Sequence, residues 1–381
     1  MNIKHILFFL LAILLISCKN EETEEKVLKL SITSGKKIKL GNQSIPYSTN
    51  ISIEKVGLQQ LLIMLNPGLN SISMYDFHTG KHEIDIKFKL QRDKKAVKID
   101  GVKFINYDSI FLYNYSKGVI FLANYEGVIK DSFLIGKKAL RDTINSKYYF
   151  YPWPSVNTGR PISKIENHIL IAGSVSGETI FDSGYNRPVF SLLNLTTKEI
   201  KYGLTYPANY QRNNYGGYEY RHIYYTISGD NAYFSFPATD TILQYDLKNS
   251  IIKKISIGDE FNPKAKMLKN TKGLCPNDKL LNQIFYTSDS YKEIIWDPYR
   301  NIFYRFYELA LSKSELNKYG QGLKKFKIQI FDSNFKHLGT TDKISDNSSS
   351  IFFVGTEGLY LLNTKKSNDN EAYFDCFSYN A

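Results

Sequence analysis

The sequence predicts an all-β protein built as a six-bladed β-propeller. Three observations lead to this fold class. Short runs of residues alternate apolar and polar positions along most of the chain, aromatic residues that favour strands make up 14% of it, and a strand–turn–strand pattern recurs six times. Seven blades, or a pair of β-sandwiches, are the alternatives, but sandwiches do not explain the recurrence.

Each repeat contains a strand that ends in an aromatic residue or leucine followed by Asp or Asn, then a turn and a further strand. The clearest copy, residues 231–257, reads AYFSF, TILQYDL and IIKKISI. Recurrence at about 40–50 residues with hairpin turns is typical of propeller blades. The six copies span residues 60–88, 109–135, 168–206, 231–257, 301–341 and 350–379.

The ring must be closed by an early strand, and residues 27–40 or 50–56 are the two candidates for pairing with the last blade. Helical periodicity is confined mainly to residues 307–316. We therefore expect one propeller domain over residues 27–381, preceded by a signal peptide at 1–17 and a tether at 18–26.

The N-terminus indicates export. Lys4 is followed by an apolar run over residues 6–16, which is shorter than the roughly 20 residues of a membrane-spanning helix but suits a signal-peptide core. The following residues, Leu15-Ile16-Ser17-Cys18, resemble the lipobox of bacterial lipoproteins. The resemblance implies cleavage before Cys18 and lipidation of its thiol, which would anchor the chain to a membrane. An ordinary signal peptide with a chance cysteine is the alternative.

The residues after Cys18 indicate a location. Lys19 and four glutamates within residues 21–25 predict a disordered tether. Lys19 is not the aspartate that retains lipoproteins in the inner membrane, and a lysine followed by acidic residues resembles the surface-export signal of Bacteroidota lipoproteins. We expect a lipid-anchored outer-membrane protein that is exposed at the cell surface, with a periplasm-facing protein as the alternative.

Lipobox, tether and blade-ending YD, LN or FD pairs together resemble the six-bladed propeller lipoproteins of Bacteroidota, a group that includes families of unknown function. Residues 296–305 (WDPYRNIFYR) resemble a late-blade motif of that group. The resemblance covers nearly the whole mature chain. It implies a fold and a location, and it implies no activity.

Charge and cysteine content restrict the partners. The formal charge of +12 is spread over scattered lysines, which indicates a solvated basic surface that could attract acidic glycans. An exported protein is not expected to meet nucleic acid. Once Cys18 is lipidated, Cys275 and Cys376 remain, and they could form a disulfide or stay buried thiols.

Motifs of catalysis are missing from the sequence. The nearest string to a nucleophile elbow, Gly173-Ser174-Val175-Ser176-Gly177, has valine at the nucleophile position, and neither a phosphate-binding loop nor a CxxC pair occurs. We therefore predict no catalytic residue, no metal and no cofactor.

Three loops rich in aromatic residues and arginine form the candidate ligand site. Aromatic rings stack on sugars, and arginine binds carboxylate or phosphate with two hydrogen bonds. We expect all three loops in the connections between blades, with packing of the aromatic rings between blades as the alternative. The candidates are Tyr151, Trp153, Arg160, Tyr210, Arg212, Tyr215, Tyr220, Arg221, Trp296, Tyr299 and Arg300.

These features favour a non-enzymatic envelope protein that binds a glycan, a peptide or a protein partner. An enzyme of the lyase, hydrolase or lactonase type, with groups converging on the central funnel, is the first alternative. A scaffold subunit of an outer-membrane complex is the second.

Overall fold

The computed structural model describes residues 28–41, 44–89, 97–135, 152–174, 187–212, 215, 218–258, 263–267, 278–319 and 324–379. Over these ranges, 25 strands form six antiparallel sheets that follow one another along the chain. The sheets are arranged as the six blades of a β-propeller, which confirms the predicted fold class. Residues 1–27, and with them the predicted lipidation site Cys18, lie outside the described residues.

The ring is closed by the first strand of the chain. Strand β1 (Leu30–Lys39) is the outermost strand of blade 6 and pairs antiparallel with β25 (Glu371–Tyr379), with Leu30 opposite Tyr379. Of the two predicted closing strands, the earlier one is therefore correct. The later one, Ile51–Val56, is instead the innermost strand of blade 1.

Each blade begins with an inner strand at the ring centre and adds strands outward. Blade 1 has β2 (Ile51–Val56), β3 (Gln59–Asn66), β4 (Ser71–Asp76) and β5 (His82–Lys87). Blade 2 has β6 (Gly101–Asn106), β7 (Ser109–Asn114), β8 (Val119–Ala123) and β9 (Ile129–Leu134). Blade 3 has β10 (Trp153–Pro154), β11 (Ser163–Ile165), β12 (His168–Ser174), β13 (Phe190–Asn194) and β14 (Ile200–Gly203).

The second half of the ring repeats this order. Blade 4 has β15 (Tyr224–Ser228), β16 (Asn231–Ser235), β17 (Ile242–Asp246) and β18 (Ile252–Ile255). Blade 5 has β19 (Ser290–Asp297), β20 (Ile302–Glu308), β21 (Phe326–Asp332) and β22 (His337–Thr340). Blade 6 has β23 (Asn347–Val354), β24 (Leu359–Asn363), β25 and β1.

In the described parts of the connections there are three short α-helices: α1 (Ala208–Arg212), α2 (Asp278–Tyr286) and α3 (Lys313–Tyr319). The helix predicted from residue 307 begins later, because Tyr307 and Glu308 complete β20. Ser312 and Glu315 form a capping box, in which the Ser312 hydroxyl accepts from the Glu315 N–H at 3.2 Å and the Glu315 carboxylate accepts from the Ser312 N–H at 2.9 Å.

The Asp or Asn at the end of the third strand of a blade caps the turn that follows it. Asp246 Oδ1 accepts the backbone N–H groups of Lys248 and Asn249 at 2.9 and 2.8 Å, and Asn194 Oδ1 accepts two N–H groups in the same way at 2.9 Å each. The fourth residue after each, Ser250 and Lys198, has positive φ. The repeated motif is therefore a side-chain-capped turn between the third and fourth strands of a blade.

Apolar side chains fill the gaps between blades. The described residues form six buried clusters, each contributed by two neighbouring blades, as between Ile63 and Phe104 in blades 1 and 2. Arg305 is a charged exception: it has no exposed surface, and its guanidinium donates to Ser235 Oγ, Thr239 O and Asp240 O at 2.6–3.0 Å. All three acceptors belong to blade 4, so this arginine of blade 5 joins the two blades.

The two ends of the ring carry different connections. Every inner strand begins at the same end, which also carries the connections between blades and the turns between second and third strands. We call this end the cavity face. The opposite end carries the turns between first and second and between third and fourth strands, and we call it the hairpin face. The outermost strand β1 does not run simply from one face to the other. Its Lys39 N–H donates to Gly80 O at 3.2 Å in a hairpin-face turn of blade 1, while Lys29 pairs with Asp342 at 3.3 Å in the connection into blade 6.

Candidate functional site

The connection that enters blade 3 crosses the centre of the ring at the cavity face. We call residues 156–160 the central turn. The Thr158 N–H donates to Thr49 O at 2.8 Å beside blade 1, and Gly159 O accepts the Tyr225 N–H at 3.3 Å in blade 4. Blades 1 and 4 are opposite each other in a ring of six. The central turn therefore spans the mouth of the channel.

Gly159 brings the central turn into direct contact with Glu293. A Cβ atom at this glycine would lie 1.3 Å from Glu293 Oε2, so no larger residue fits without a shift of the carboxyl group. Glu293 lies on β19, the inner strand of blade 5. The contact places an acidic side chain of blade 5 beneath the turn.

The Glu293 carboxyl group is buried and lacks hydrogen bonds. The residue has no exposed surface, and neither carboxyl oxygen has a hydrogen-bond partner within the described ranges. Burial raises the pKa of Glu293 to about 8, against the opposing effect of the Lys292 and Arg160 charges. The group is therefore mostly protonated at neutral pH, and it can both donate and accept a hydrogen bond.

Arg160 is the second buried group at the centre. It is 8% exposed, its Nε donates to Asn157 Oδ1 at 3.4 Å, and its guanidinium lies 5.5 Å from the ring centroid of Tyr224. Among the described residues, neither terminal nitrogen of Arg160 donates to a protein acceptor. The planar guanidinium group, whose geometry suits a carboxylate, therefore has no carboxylate partner among the described residues.

Two lysines nearby are fully engaged. Lys292 Nζ donates to Glu308 Oε1 at 3.0 Å and to Ser349 and Ser350 Oγ at 2.8 Å each. Lys324 Nζ donates to Ser288 O and to a serine hydroxyl at 2.8 Å. Burial lowers the pKa of Lys324 to about 8, although Glu308 opposes the shift.

A cavity of about 240 Å³ lies at the cavity face; Lys292 and Lys324 line it, whereas Arg160 and Glu293 are not among its lining residues. Tyr224 lines it, and burial raises the pKa of its phenol, so the hydroxyl stays protonated. His222 Nδ1 lies 3.1 Å from Glu219 Oε2, yet burial and the Arg160 charge lower the pKa of His222 to about 4. The lining residues are Glu219, Tyr224, Pro237, Phe285, Tyr286, Ser290, Tyr291, Lys292, Glu308, Lys324 and Ser350.

Of the predicted site residues, Arg160 reaches this centre. Three predicted tyrosines, Tyr210, Tyr215 and Tyr220, are instead buried by 94% or more in the apolar cluster between blades 3 and 4. Packing between blades, the alternative given above, describes Tyr210 and Tyr220. Tyr215 packs in the same cluster and also lines a cavity of about 470 Å³ with Asn209 and Thr239, so its role in binding a ligand stays a prediction.

The loop of Trp296, Tyr299 and Arg300 is also misplaced by the prediction. It is the turn between the first and second strands of blade 5 and lies at the hairpin face, about 20 Å along β19 from the cavity face. Arg300 donates to Asp297 Oδ2 at 2.8 Å and to Thr356 O at 2.7 Å, so it joins blades 5 and 6.

The remaining predicted residues divide between described and undescribed parts of the chain. The Trp153 ring packs edge-on against Tyr115 with centroids 5.3 Å apart, and the Arg221 carbonyl accepts from the Tyr206 hydroxyl at 2.6 Å. Tyr151 and the Arg212 side chain lie outside the described residues. Cys376 is a buried free thiol in this structure, and Cys275 lies outside the described residues, so their bridge is not formed here and stays a prediction.

Sequence reasoning missed Glu293, Lys292, Glu308 and Lys324. A signal did exist, because Lys292-Glu293 interrupts the otherwise apolar strand SYKEIIWD. Charged residues inside an inner strand must find partners near the ring axis. In the described ranges, no set of three or more His, Cys, Asp or Glu side chains is placed to hold a metal ion. Those ranges also contain no helix that is long and apolar enough to cross a membrane.

Solved structures show where this fold occurs. A member of the DUF4221 family from Bacteroides vulgatus superposes with a TM-score of 0.72 at 17% identity, covering 93% of this chain and 99% of that one. A putative exported protein from Bacteroides fragilis gives a TM-score of 0.54 at 12% identity, covering 92% and 96%. No curated protein matches the sequence. The family model described as domain of unknown function DUF4221 matches residues 28–342, so the chain belongs to that family.

Proposed function

We propose that this protein is a lipid-anchored cell-envelope protein that binds a small polar ligand carrying a carboxylate group at the cavity face. One observation carries the proposal. The buried groups at the centre divide into those with complete hydrogen bonding, Lys292 and Lys324, and those without it, Arg160 and Glu293.

Incomplete hydrogen bonding at buried polar groups is costly, at about 1–3 kcal/mol per group and more for charged groups. A fold tolerates it where a ligand or ordered water completes the bonding. The Arg160 fork matches a carboxylate, while the protonated Glu293 carboxyl and the Tyr224 hydroxyl match ligand hydroxyls. An acidic monosaccharide carries both kinds of group.

The size of the cavity agrees with a small ligand. Its volume of about 240 Å³ is below the roughly 300–1,000 Å³ of pockets that hold drug-sized molecules. Tyr224, Tyr286 and Tyr291 line it and offer apolar surface for a sugar ring. Together with the N-terminal lipobox and acidic tether, these features favour capture of an acidic sugar at the cell envelope.

Calorimetric titration tests the ligand class. Glucuronate and galacturonate should bind, and glucose and galactose should bind at least about tenfold more weakly, because they lack the partner of Arg160. Arg160→Gln should remove this preference, whereas Lys198→Gln, an exposed lysine of the hairpin face, should leave it unchanged. Equal binding of acidic and neutral sugars, or an unchanged preference in Arg160→Gln, would reject the proposal.

An enzyme is the second candidate, and one observation favours it. Glu293 and Lys324 both have pKa values of about 8, which suits proton transfer near neutral pH. Mass spectrometry of the ligand after prolonged incubation separates the two functions. A binding protein returns the ligand unchanged, whereas an acid–base enzyme returns a product whose formation stops in Glu293→Gln.

A further inference from the structure

A larger cavity at the cavity face takes no part in the central site. It measures about 470 Å³, and neither Arg160 nor Glu293 lines it. Its lining residues come mainly from the connection into blade 4, the turn between β16 and β17 and the connection into blade 5. We call it the side cavity. Its volume lies within the roughly 300–1,000 Å³ of pockets that hold drug-sized molecules, so it has room for a sugar ring.

Polar groups of the side cavity have hydrogen-bonding capacity that the protein does not use. Thr241 is 5% exposed, and its hydroxyl has no hydrogen bond within the described ranges. Asn209 Nδ2 donates to Ala238 O at 3.2 Å and to the Tyr215 hydroxyl at 3.3 Å, whereas Asn209 Oδ1 receives no hydrogen bond from the described residues. The phenol proton of Tyr215 likewise has no acceptor among them. A ligand can therefore bond to two hydroxyl groups and an amide oxygen.

Asp240 adds a carboxylate that forms no ion pair with any described residue. Its Oδ1 accepts from the Thr239 hydroxyl at 3.3 Å and its Oδ2 accepts from the Ser256 hydroxyl at 2.7 Å. A carboxylate oxygen has two lone pairs, so each can accept one more hydrogen bond. The exposed Lys254 is the other charged residue of the lining, and its charge balances that of Asp240. The side cavity therefore favours an uncharged ligand rich in hydroxyl groups over an anion.

The turn that carries these groups is held in place by blade 5. The Arg305 guanidinium donates to Thr239 O at 2.9 Å and to Asp240 O at 2.6 Å, and the Thr239 hydroxyl accepts the Thr241 N–H at 3.2 Å. Polar groups that are already fixed lose little freedom when a ligand binds, so less of the binding free energy is spent on ordering them.

The side cavity is a direct neighbour of the cavity of about 240 Å³. Pro237 lines the smaller cavity and Ala238 lines the side cavity, and the Cα atoms of consecutive residues are about 3.8 Å apart. The two cavities therefore lie on either side of one turn of blade 4. A ligand at the centre of the ring can extend across this turn.

We infer that the side cavity is a second subsite, which binds an uncharged sugar ring, so that the ligand is an oligosaccharide with a neutral sugar next to the acidic one. The acidic unit of this ligand rests on the proposed function. Sugar hydroxyls donate and accept hydrogen bonds, so they match the free capacity of Thr241, Tyr215 and Asp240. Pro207 and Leu243 also line the side cavity and offer apolar contact to the ring carbons.

Calorimetric titration of the full chain tests the subsite. The ligands are glucuronate, neutral monosaccharides, and disaccharides that join glucuronate to glucose, galactose or mannose through either unit. We expect at least one disaccharide to bind at least about tenfold more tightly than glucuronate. Ala208→Trp, at an exposed residue of the lining, should fill the side cavity and remove this gain while leaving the affinity for glucuronate unchanged. Ala310→Trp, at an exposed alanine that lines neither cavity, is the matched control and should change neither affinity.

Thr241→Val is a finer test, because it removes a hydroxyl that has no hydrogen bond to the described residues. Affinity for the disaccharide should fall at least about threefold with no change in denaturant unfolding. If no disaccharide binds more tightly than glucuronate, or if Ala208→Trp keeps the gain, the subsite is wrong and the proposed function stands. If glucuronate does not bind but a neutral sugar binds and loses its affinity in Ala208→Trp, the subsite stands and the proposed function is wrong. If no sugar binds, both are wrong.

Discussion

The connections that enter blade 3 and blade 4 are both rich in aromatic residues and arginine, and both lie at the cavity face. They differ in what happens to their polar groups. In the connection into blade 4, the Tyr210 hydroxyl accepts the Ala238 N–H at 2.8 Å, and the Tyr206 hydroxyl donates to Arg221 O at 2.6 Å. In the connection into blade 3, the terminal nitrogens of Arg160 donate to no acceptor among the residues that the structure describes.

Composition alone therefore does not distinguish a binding loop from a packing loop. The tyrosines of the blade 4 connection pack in the core cluster. The Tyr206 and Tyr210 hydroxyls are hydrogen-bonded, whereas the buried Tyr220 hydroxyl has no hydrogen-bond partner among the described residues. The central turn has fewer aromatic residues, but it carries the buried Arg160 and its Gly159 lies against Glu293. Three substitutions test this contrast.

Gly159→Ala should have the largest effect. Because the new Cβ would lie 1.3 Å from Glu293 Oε2, the central turn or the carboxyl group must move. We expect the free energy of unfolding to fall by about 2–4 kcal/mol and ligand affinity to be lost. Denaturant unfolding and calorimetry measure the two quantities.

A control and a rescue make this test specific. Gly68→Ala adds a Cβ with no heavy atom within 4 Å, so it should change neither quantity. Gly159→Ala combined with Glu293→Ala removes the collision and should restore stability without restoring affinity. A Gly159→Ala protein as stable as the unsubstituted chain would show that the turn does not pack on Glu293.

Glu293→Gln should change the pH dependence of stability. The pKa of Glu293 is raised in the folded state from its ordinary 4.5 to about 8, so its protonated form favours folding at low pH. That contribution is complete below about 4.5 and is lost as the pH rises through about 8. Between pH 5 and pH 7 the unsubstituted chain should lose about 2–3 kcal/mol more than Glu293→Gln.

Denaturant unfolding at a series of pH values measures this difference. Glu315→Gln is the matched control, since that exposed glutamate has its pKa lowered to about 2, chiefly by Lys325 and by hydrogen bonds from Ser312. Its profile should therefore keep the fall in stability between pH 5 and pH 7. Parallel profiles for the chain and Glu293→Gln would mean that this carboxyl group is ionised in the folded state.

Much of the fold could be predicted from the sequence because it depends on local patterns. Alternation of apolar and polar residues defines strands, and the Asp or Asn at the strand ends caps turns within a few residues of itself. The strand that closes the ring could not be chosen from the sequence, because both candidate segments alternate apolar and polar residues equally well. Only the partner far along the chain, such as Tyr379 opposite Leu30, decides between them.

The site could be predicted less well because it is assembled from distant residues. Arg160, Tyr224 and Glu293 come from three separate parts of the chain, and each is unremarkable in its own segment. The tyrosines and the Trp296 loop are predicted as a ligand site because they are rich in aromatic residues and arginine. Whether a side chain faces a cavity, a neighbouring blade or the hairpin face follows from register and ring geometry, which local sequence does not encode.

Tyr210→Phe should have the smallest effect, and it separates the two connections most directly. The substitution keeps the buried ring but leaves the Ala238 N–H without its acceptor, so the free energy of unfolding should fall by about 1–2 kcal/mol. Affinity for the acidic sugar should stay the same, since Tyr210 does not line the cavity. Tyr299→Phe, at an exposed tip of the hairpin face, is the control and should change neither quantity. A loss of affinity in Tyr210→Phe without a loss of stability would reverse the contrast, because it would place the ligand on the connection into blade 4 and leave the open hydrogen bonds of Arg160 and Glu293 to be completed by water.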